Sequence, residues 1–270
     1  MSSDRGLHAA AGQKVSAVAY DRYIGRWSRL VVPSLLAAAE VGAGDRVLDV
    51  ATGTGEAAIA AISLVGDAGV VVGADISAAM LGAARARLPR SYRAIVTDGQ
   101  ALAFQDVSFD AVVCQLGLMF FPDPARGLAE FRRVLRSGGC AAACVNSAPD
   151  RAPMWGLLAC ALSRQLPDQR DAFQLSFSLG DARRLEQMFV AAGFRDVRVE
   201  REMRDGIIGS FDEYWAAIEA GTGQMPLAYI NLSEAQRRAV REEVTVALLP
   251  FVSNGRLEMS VEMLIGVGRA

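Results

Sequence analysis

The sequence is poor in the side chains that most enzymes use to move protons. Its 270 residues include one histidine, His8, and one lysine, Lys14, against twenty-seven arginines. A Ser-His-Asp triad would have to rest on His8, in a polar N-terminal tail. A Walker phosphate loop needs a lysine after its glycines, and Lys14 follows no such loop. A Schiff-base lysine meets the same obstacle, and zinc sites built on histidine pairs are excluded. Long hydrophobic runs are missing too. Charge or glycine interrupts every apolar stretch well short of the ~18 residues a membrane span requires. No apolar leader core follows Met1-Ser-Ser-Asp-Arg, so a cytoplasmic location is expected. An excess of charge of one sign is also absent. With 28 basic and 30 acidic residues the net charge is −2, which offers no field for nucleic acid. The arginine surplus reads as a codon bias. Four cysteines (Cys114, Cys140, Cys144 and Cys160) stand mainly in apolar runs and are expected as free, buried thiols. Cys140 and Cys144, four residues apart on a strand, share a face without implying a metal.

What the chain does have is apolar content, 52 % of its residues, enough for a substantial core. At about 150 residues per domain the length allows one large domain or two small ones. Residues 1 to about 14 are expected to be disordered. From Ser16 to Glu40 the apolar spacing is helical but broken by Gly25 and Pro33, predicting two short helices. The pattern then changes to strands alternating with helices. Strands are predicted at Arg46–Val50, Val70–Ala74, Tyr92–Thr97, Phe109–Gln115 and Cys140–Val145. Between them lie helices at Glu56–Leu64, 78–88 (capped by Ser77) and Pro124–Arg136. Such alternation means a parallel sheet covered on both faces, and the continuous apolar run 70–74 agrees. Beyond it come a helix at Asp181–Ala192 closed by Gly193, a strand at Val197–Glu200, helices at 211–220 and 233–249, and a last strand at Leu257–Gly268. The two late helices fall between the final two strands, as an inserted cap.

The sharpest local signal is VLDVATGTGE, residues 47–56. Small residues at 51, 53 and 55 let the chain turn tightly off a strand end and let a ligand approach the backbone. The helix that follows aims unpaired N–H groups at that ligand. Asp75 ends the next strand, where a carboxylate can accept both hydroxyls of a ribose. The stretch from Gly53 to Ala58 also meets the loose dinucleotide pattern GxGxxA, so a nicotinamide-dependent oxidoreductase is the competing reading. Three features favour S-adenosylmethionine. Asp49, just before the turn, can order the loop and meet an ammonium, whereas it would repel a pyrophosphate. Asp98-Gly99-Gln100 follows the third strand, placed for an adenine edge. Leu135-Arg-Ser-Gly138-Gly139 precedes the fifth strand as a glycine turn packed on the sheet.

The segment from about 45 to 146 resembles the class I S-adenosylmethionine-dependent methyltransferases, specifically the small-molecule group related to the ubiquinone/menaquinone C-methyltransferases. The matching stretches, in order, are VLDVATGTGE (47–56), VVVGADISAAML (70–81), TDGQALAFQDVSFDAVVCQLGLMFFPD (97–123) and EFRRVLRSGG (130–139). The resemblance implies a Rossmann-like α/β fold: a mostly parallel seven-stranded sheet, helices on both faces, an antiparallel last strand and helical cap insertions. It implies one domain over 1–270, with an N-terminal helical lid (1–40), a cofactor core (41–146) and a C-terminal half (147–270) whose cap covers about 207–255.

The same resemblance assigns residues. Asp49 and the Ala51-Thr52-Gly53 backbone, with Gly55, would hold the methionine part of the cofactor. Asp75 would bind the ribose, with Ile76 and Met80 against the adenine. Asp98 would take the adenine amino group, and Gly99 and Gln100 would give backbone contacts. Gln115 would place its carbonyl near the cofactor amine. Ala51 stands where many relatives have a glycine. The aromatic and arginine-rich segment 20–29 corresponds to one that closes over the cofactor in relatives, which would bring Tyr20 or Tyr23 to the methyl group and Tyr23 and Arg26 to the cofactor. Its other reading is an amphipathic helix that buries Tyr20, Tyr23 and Trp27. Met119 and Phe120 follow the fourth strand where substrate enters in this family, and the caps contribute Trp155 and Trp215. These aromatic side chains point to a small apolar or aromatic acceptor.

The expected function is methyl transfer from S-adenosylmethionine to carbon, oxygen or nitrogen of such an acceptor, by a monomer or homodimer without nucleic acid, metal or membrane span. No general base stands out; Tyr20, Tyr23 and Asp123 are the candidates. Besides the oxidoreductase, a non-catalytic S-adenosylmethionine-binding partner protein remains a reading. An RNA methyltransferase lacks support from the charge balance.

Overall fold

A computed structural model describes residues 25–89, 92–221 and 223–270, and the Arg26 side chain also falls outside the described part. The chain enters on helix α1 (Arg26–Ala38) and then alternates: β1 (Arg46–Val50), α2 (Glu56–Val65), β2 (Val70–Asp75), α3 (Ala78–Arg87), β3 (Arg93–Val96), β4 (Phe109–Gln115), α4 (Pro124–Val134) and β5 (Leu135–Asn146). It continues through α5 (Pro153–Gln165), α6 (Arg170–Gln174), α7 (Ala182–Ala191), β6 (Arg195–Ile208), α8 (Phe211–Glu219), α9 (Gln224–Ile230), α10 (Glu234–Leu248), β7 (Val252–Ser253) and β8 (Arg256–Arg269). The strands form one sheet of order β3-β2-β1-β4-β5-β8-β6, with β7 paired to β8. Pairing is parallel from β3 to β5, while β8 runs antiparallel to both β5 and β6. This is the expected Rossmann-like arrangement, with one short strand more than the seven predicted.

The predicted break at Pro33 does not occur. α1 runs straight through the proline. The stripe Trp27, Val31, Leu35, Ala39 is fully buried on both sides of it, while Pro33 itself is exposed. Burying large apolar side chains stabilises by ~1.5–3 kcal/mol each, which together exceeds the ~3 kcal/mol cost of an interior proline. Arg204 brackets the site, donating from Nε to the Leu30 carbonyl and from Nη2 to Ser34 Oγ. The predicted first helix of that segment, before Gly25, lies outside the described residues.

Other boundaries moved for tertiary reasons. α4 ends at Val134 instead of Arg136, because Leu135 already pairs with Phe109 in the sheet before the register shifts to Ala111–Cys140. β6 is far longer than the predicted 197–200, since β8 offers a partner along its whole length. Charged residues alternate along this edge strand, which hides it from a hydrophobicity pattern. Cys160 is exposed, unlike the three other thiols.

In a sheet, residues that pair across strands, and those two apart on one strand, share a face. Asp49 pairs with Gly73 and Val113, and Gln115 pairs with Cys144. Asp75, Asp49, Gln115 and Asn146 therefore project from one face, at the carboxyl ends of β2, β1, β4 and β5. Opposite them in chain direction, the β6–β8 pair extends past the end of β5, because Asn146 is matched to Met263 while pairing continues to Leu257. Helix α1 crosses this face. Ala38 accepts a hydrogen bond from Cys140 Sγ at the start of β5, and Trp27 lies on Gly206 of the extension. Among the described residues three helices (α8, α9, α10), where two were predicted, occupy the expected cap region between β6 and β8.

Candidate active site

The turn after β1 is built by opposed demands of backbone and side chain. Ala51, Gly53 and Gly55 all have positive φ, 56°, 55° and 89°. Glycine meets this without strain at 53 and 55, whereas Ala51 adopts it with a Cβ. That methyl group occupies the space left by Gly117, where an added Cβ would overlap it. Gly55 then caps α2. Asp75 ties the turn to the next strand, accepting from the Gly53 N–H at 2.9 Å and from the Ser77 N–H at 2.8 Å. Each carboxylate oxygen thus accepts a backbone N–H. Burial pushes the Asp75 carboxyl above its usual range, although the Ser77 and Gly53 N–H groups oppose this.

Asp49 is the most unusual group in the site. It has no exposed surface. Thr52 Oγ1 donates to its Oδ2 at 2.6 Å, while its Oδ1 is buried with no partner among the described residues. Burial pushes its pKa up to about 7, the Thr52 hydroxyl pulls the other way, and Asp75 adds repulsion. Tyr92 completes a chain behind the turn: its hydroxyl lies 3.3 Å from Thr52 Oγ1 and fits over Gly73, where a Cβ would overlap it. Tyr92 was not among the expected site residues. Its signal was Gly73, a glycine inside a continuous apolar strand, which marks a close approach.

On the far side of the turn Met80 faces Gly53, with Cε 3.8 Å from where a Cβ would stand. Ile76 is 44 % exposed beside Asp75. An exposed isoleucine next to a buried methionine is a fitting wall for a flat apolar ring. Asp98 accepts from both the main-chain N–H and the side-chain amide of Gln100. Gln100 in turn is spent elsewhere: its carbonyl accepts from Arg126 Nε and its Oε1 from the Asp123 N–H. The predicted backbone contacts from Gln100 to adenine are thus already engaged within the protein. Gly99 is buried under the Phe121 ring, which a Cβ would strike. Asp123 caps α4, accepting from the Arg126 N–H, and is exposed.

The expected acceptor-side residues separate into two groups. Met119 is buried and Phe120 half-buried in the turn after β4, and the Met119 carbonyl accepts from Ser178 Oγ. Trp155 is buried against Trp27, ring centroids 6.0 Å apart and edge to face. Trp215 belongs to the cap: it packs on Tyr214 and Tyr229 beneath Arg241, and its Nε1 donates to Thr245. Tyr20 and Tyr23 lie outside the described residues. No cluster of metal-ligating side chains occurs among the described residues, and none of their helices is long and apolar enough to cross a membrane.

Comparison with known proteins decides the family. The family described as a methyltransferase domain matches residues 47–139. A demethylmenaquinone methyltransferase from Mycobacterium sp. (strain KMS) is 36 % identical over 188 residues, covering 64 % of this chain and 76 % of that protein. The chain belongs to the class I S-adenosylmethionine-dependent methyltransferases.

The chain is also similar to the ubiquinone/menaquinone biosynthesis C-methyltransferase of Xanthomonas campestris pv. campestris, 41 % identical over 118 residues. That match spans 42 % of this chain and only 45 % of the relative's length. Phosphoethanolamine N-methyltransferase 2 of Haemonchus contortus, solved with S-adenosyl-L-methionine, shares the fold with a TM-score of 0.59 at 18 % identity, over 94 % of this chain and 56 % of that one. S-adenosylmethionine is the family's cofactor, and the residues present fit it. The unpartnered Asp49 oxygen, the Asp75 carboxylate, the glycine turn and the apolar side chains of Ile76 and Met80 have the chemistry for an ammonium partner, a diol partner, a close backbone approach and an apolar ring contact. A pyrophosphate would meet two carboxylates at the same turn, so the nicotinamide reading falls.

Proposed function

We propose that this chain transfers a methyl group from S-adenosylmethionine to a small apolar organic acceptor. The carrying observation is the buried Asp49 carboxylate, with one oxygen lacking a partner beside a glycine turn that Asp75 braces. In this reading Asp49 and the backbone of Ala51, Thr52 and Gly53 hold the methionine portion, with Gly55 opening the helix behind it. Asp75 holds the ribose hydroxyls, Ile76 and Met80 flank the adenine, and Asp98 and Gly99 border its edge. Gln115, at the end of β4, places its backbone carbonyl near the cofactor amine; Tyr23 and the Arg26 side chain, the other cofactor candidates, lie outside the described residues.

When bound, S-adenosylmethionine supplies an electrophilic methyl carbon on a good leaving group. The protein's own task is therefore to orient and enclose. Thr52 and Tyr92 fix the Asp49 carboxylate, and the braced turn fixes the backbone around it. Met119, Phe120 and Trp155 exclude water from the acceptor side. No described histidine or lysine is available as a base, which suits an acceptor that arrives able to react.

The names of the similar proteins make quinone-type rings the first acceptors to assay. Calorimetric titration with S-adenosylhomocysteine tests the cofactor half: micromolar binding, reduced at least tenfold in Asp75→Ala, is expected. Incubation with methyl-labelled cofactor and demethylated quinols tests the transfer. Absence of cofactor binding by the folded protein would overturn the proposal.

A further inference from the structure

The back of the cofactor turn rests on the end of α3 and on Tyr92 beyond it. Arg87 Nη1 donates to the Thr54 carbonyl at 3.0 Å. Leu88 lies against Gly55, where an added Cβ would come within 2.6 Å of its Cδ1. Tyr92 lies against Thr52 and fills the space that Gly73 leaves in β2. A Cβ at Gly73 would sit 1.8 Å from the Tyr92 hydroxyl and 2.9 Å from Thr52 Cγ2. Asp49, Thr52 and Tyr92 are all buried, so bulk water does not compete for the hydrogen bonds among them.

When Asp49 is ionised, the hydrogens of this group have one consistent order. Thr52 has a single hydroxyl hydrogen, and the 2.6 Å contact to Asp49 Oδ2 takes it. Thr52 Oγ1 can then only accept from Tyr92, 3.3 Å away, so the Tyr92 hydroxyl is the donor. Two hydroxyl dipoles are thereby aligned on one carboxylate oxygen. The other oxygen, Oδ1, is buried with no hydrogen-bond partner among the described residues. A proton on Oδ2 would reverse the order, because Asp49 would then donate to Thr52. Of the other groups facing Asp49, Asp75 of β2 repels its charge, and the Ala58 N–H in the first turn of α2 weakly favours it. On β4, the Cys114 thiol is pushed up by burial and by the Asp49 charge, so it stays neutral. Burial and the Asp49 charge likewise push the Tyr92 hydroxyl up, with Arg85 of α3 pulling weakly the other way. Tyr92 therefore keeps the hydrogen that it donates.

We propose that Tyr92 is a positioning residue for the cofactor ammonium: by donating to Thr52 it commits the Thr52 hydrogen to Asp49 and holds that carboxylate in the ionised form that a cation needs. This rests on the cofactor reading above, and goes beyond it by assigning the direction of the donor chain and the pH range in which it acts. Because the chain favours charged Asp49, removing it raises the pH at which the carboxylate ionises. Cofactor binding then weakens on the acidic side and recovers where Asp49 is ionised with or without the chain.

Tyr92→Phe keeps the ring against Gly73 and deletes the donor, and two measurements on the full chain test it. Carbon-13 NMR of the protein without cofactor follows the Asp49 carboxyl, assigned by its loss in Asp49→Asn, through a pH titration. Its midpoint is expected about half a unit higher in Tyr92→Phe, which corresponds to about threefold in the ionised fraction. Calorimetry with S-adenosylhomocysteine, which carries the same ammonium, should accordingly show about a threefold loss of affinity at pH 6 and less than twofold at pH 8.5. Thr52→Val cuts the chain at its next link and should also raise the midpoint, so the test survives a Tyr92 variant that fails to fold. Tyr92→Phe in the Thr52→Val background should add nothing, because its route to Asp49 is gone. An unchanged midpoint in either single variant, an equal loss of affinity at both pH values, or additive effects in the double variant overturns the proposal. Absence of S-adenosylhomocysteine binding by folded wild-type protein overturns the cofactor reading, and this proposal with it, whatever the NMR midpoint, so the two failures are distinguishable.

Discussion

Thr52 donates its hydroxyl hydrogen to Asp49 Oδ2 at 2.6 Å, a side-chain hydrogen bond made to a fully buried carboxyl group. The arrangement stores instability at the point where a positively charged ligand is needed.

That cost has a pH signature. The Asp49 pKa, about 7 in the folded protein, lies above its ordinary value of 3.8. Between those values the folded chain holds a proton that the unfolded chain has released, so stability falls as pH rises from about 4 to 7. Asp49→Asn keeps the acceptor for Thr52 and removes the charge. It should raise stability at pH 8 by on the order of 2 kcal/mol, leave pH 4 nearly unchanged, and weaken S-adenosylhomocysteine binding at least tenfold. Urea titrations at both pH values, with calorimetry, check this; a destabilised variant at pH 8 would contradict it.

Ala51 and Gly117 form a matched pair. Gly117→Ala should destabilise by about 1–3 kcal/mol, because its new Cβ overlaps the Ala51 methyl. Ala51→Gly relieves the positive φ of 56° and opens that space. The double substitution should recover at least half of the loss. Additivity in a double-mutant cycle would show that the two positions do not touch.

Pro33 is tolerated, not required. It is exposed within α1 and deprives one turn of a hydrogen bond. Pro33→Ala should stabilise by about 1–2 kcal/mol after the gain in unfolded-chain entropy is subtracted. Denaturant midpoints of the two proteins decide it, and a lower midpoint for the variant would count against the continuous helix.

Glu262 provides a control for the cofactor site. Its buried carboxylate accepts from Ser147 Oγ at 2.6 Å and from Arg201 at 2.8 Å. Arg201 is 58 % exposed, so screening limits the worth of the ion pair. Glu262→Ala should cost about 2 kcal/mol, mainly from the stranded Ser147 hydroxyl and the space left behind. It should leave cofactor affinity within twofold, because Glu262 projects from the face opposite Asp49. A tenfold loss of S-adenosylhomocysteine binding would refute that placement.

Several elements were legible in the sequence for local reasons. Ser77 caps its helix as expected, its side chain accepting the Met80 N–H, while Asp181, expected inside its helix, stands before it as the cap. The strand from Phe109 to Gln115 and the helix beginning at Glu56 appear where apolar pattern and glycine punctuation placed them. What escaped was decided by distant partners. β6 is extended because β8 pairs with it along residues 195–208, and no local pattern of REMRDG announces a strand. Trp155 and Trp215 look alike in sequence, yet one is left with an unsatisfied N–H and the other is closed by Thr245.

By itself the sequence determined the cofactor half and the chemistry open to it. One histidine and one lysine, both outside the described residues, fit an enzyme whose cofactor supplies the reactivity. The motif 47–56, followed by Asp75 and Asp98, named which one, because short-range constraints of turns, caps and strand ends are written in neighbouring residues. Only the tertiary structure decided how far burial shifts Asp49, and that Gln115 and Asn146 share a sheet face with it. Desolvation and hydrogen-bond satisfaction depend on everything packed around an atom, and that is set by strand register and helix crossing over the whole chain.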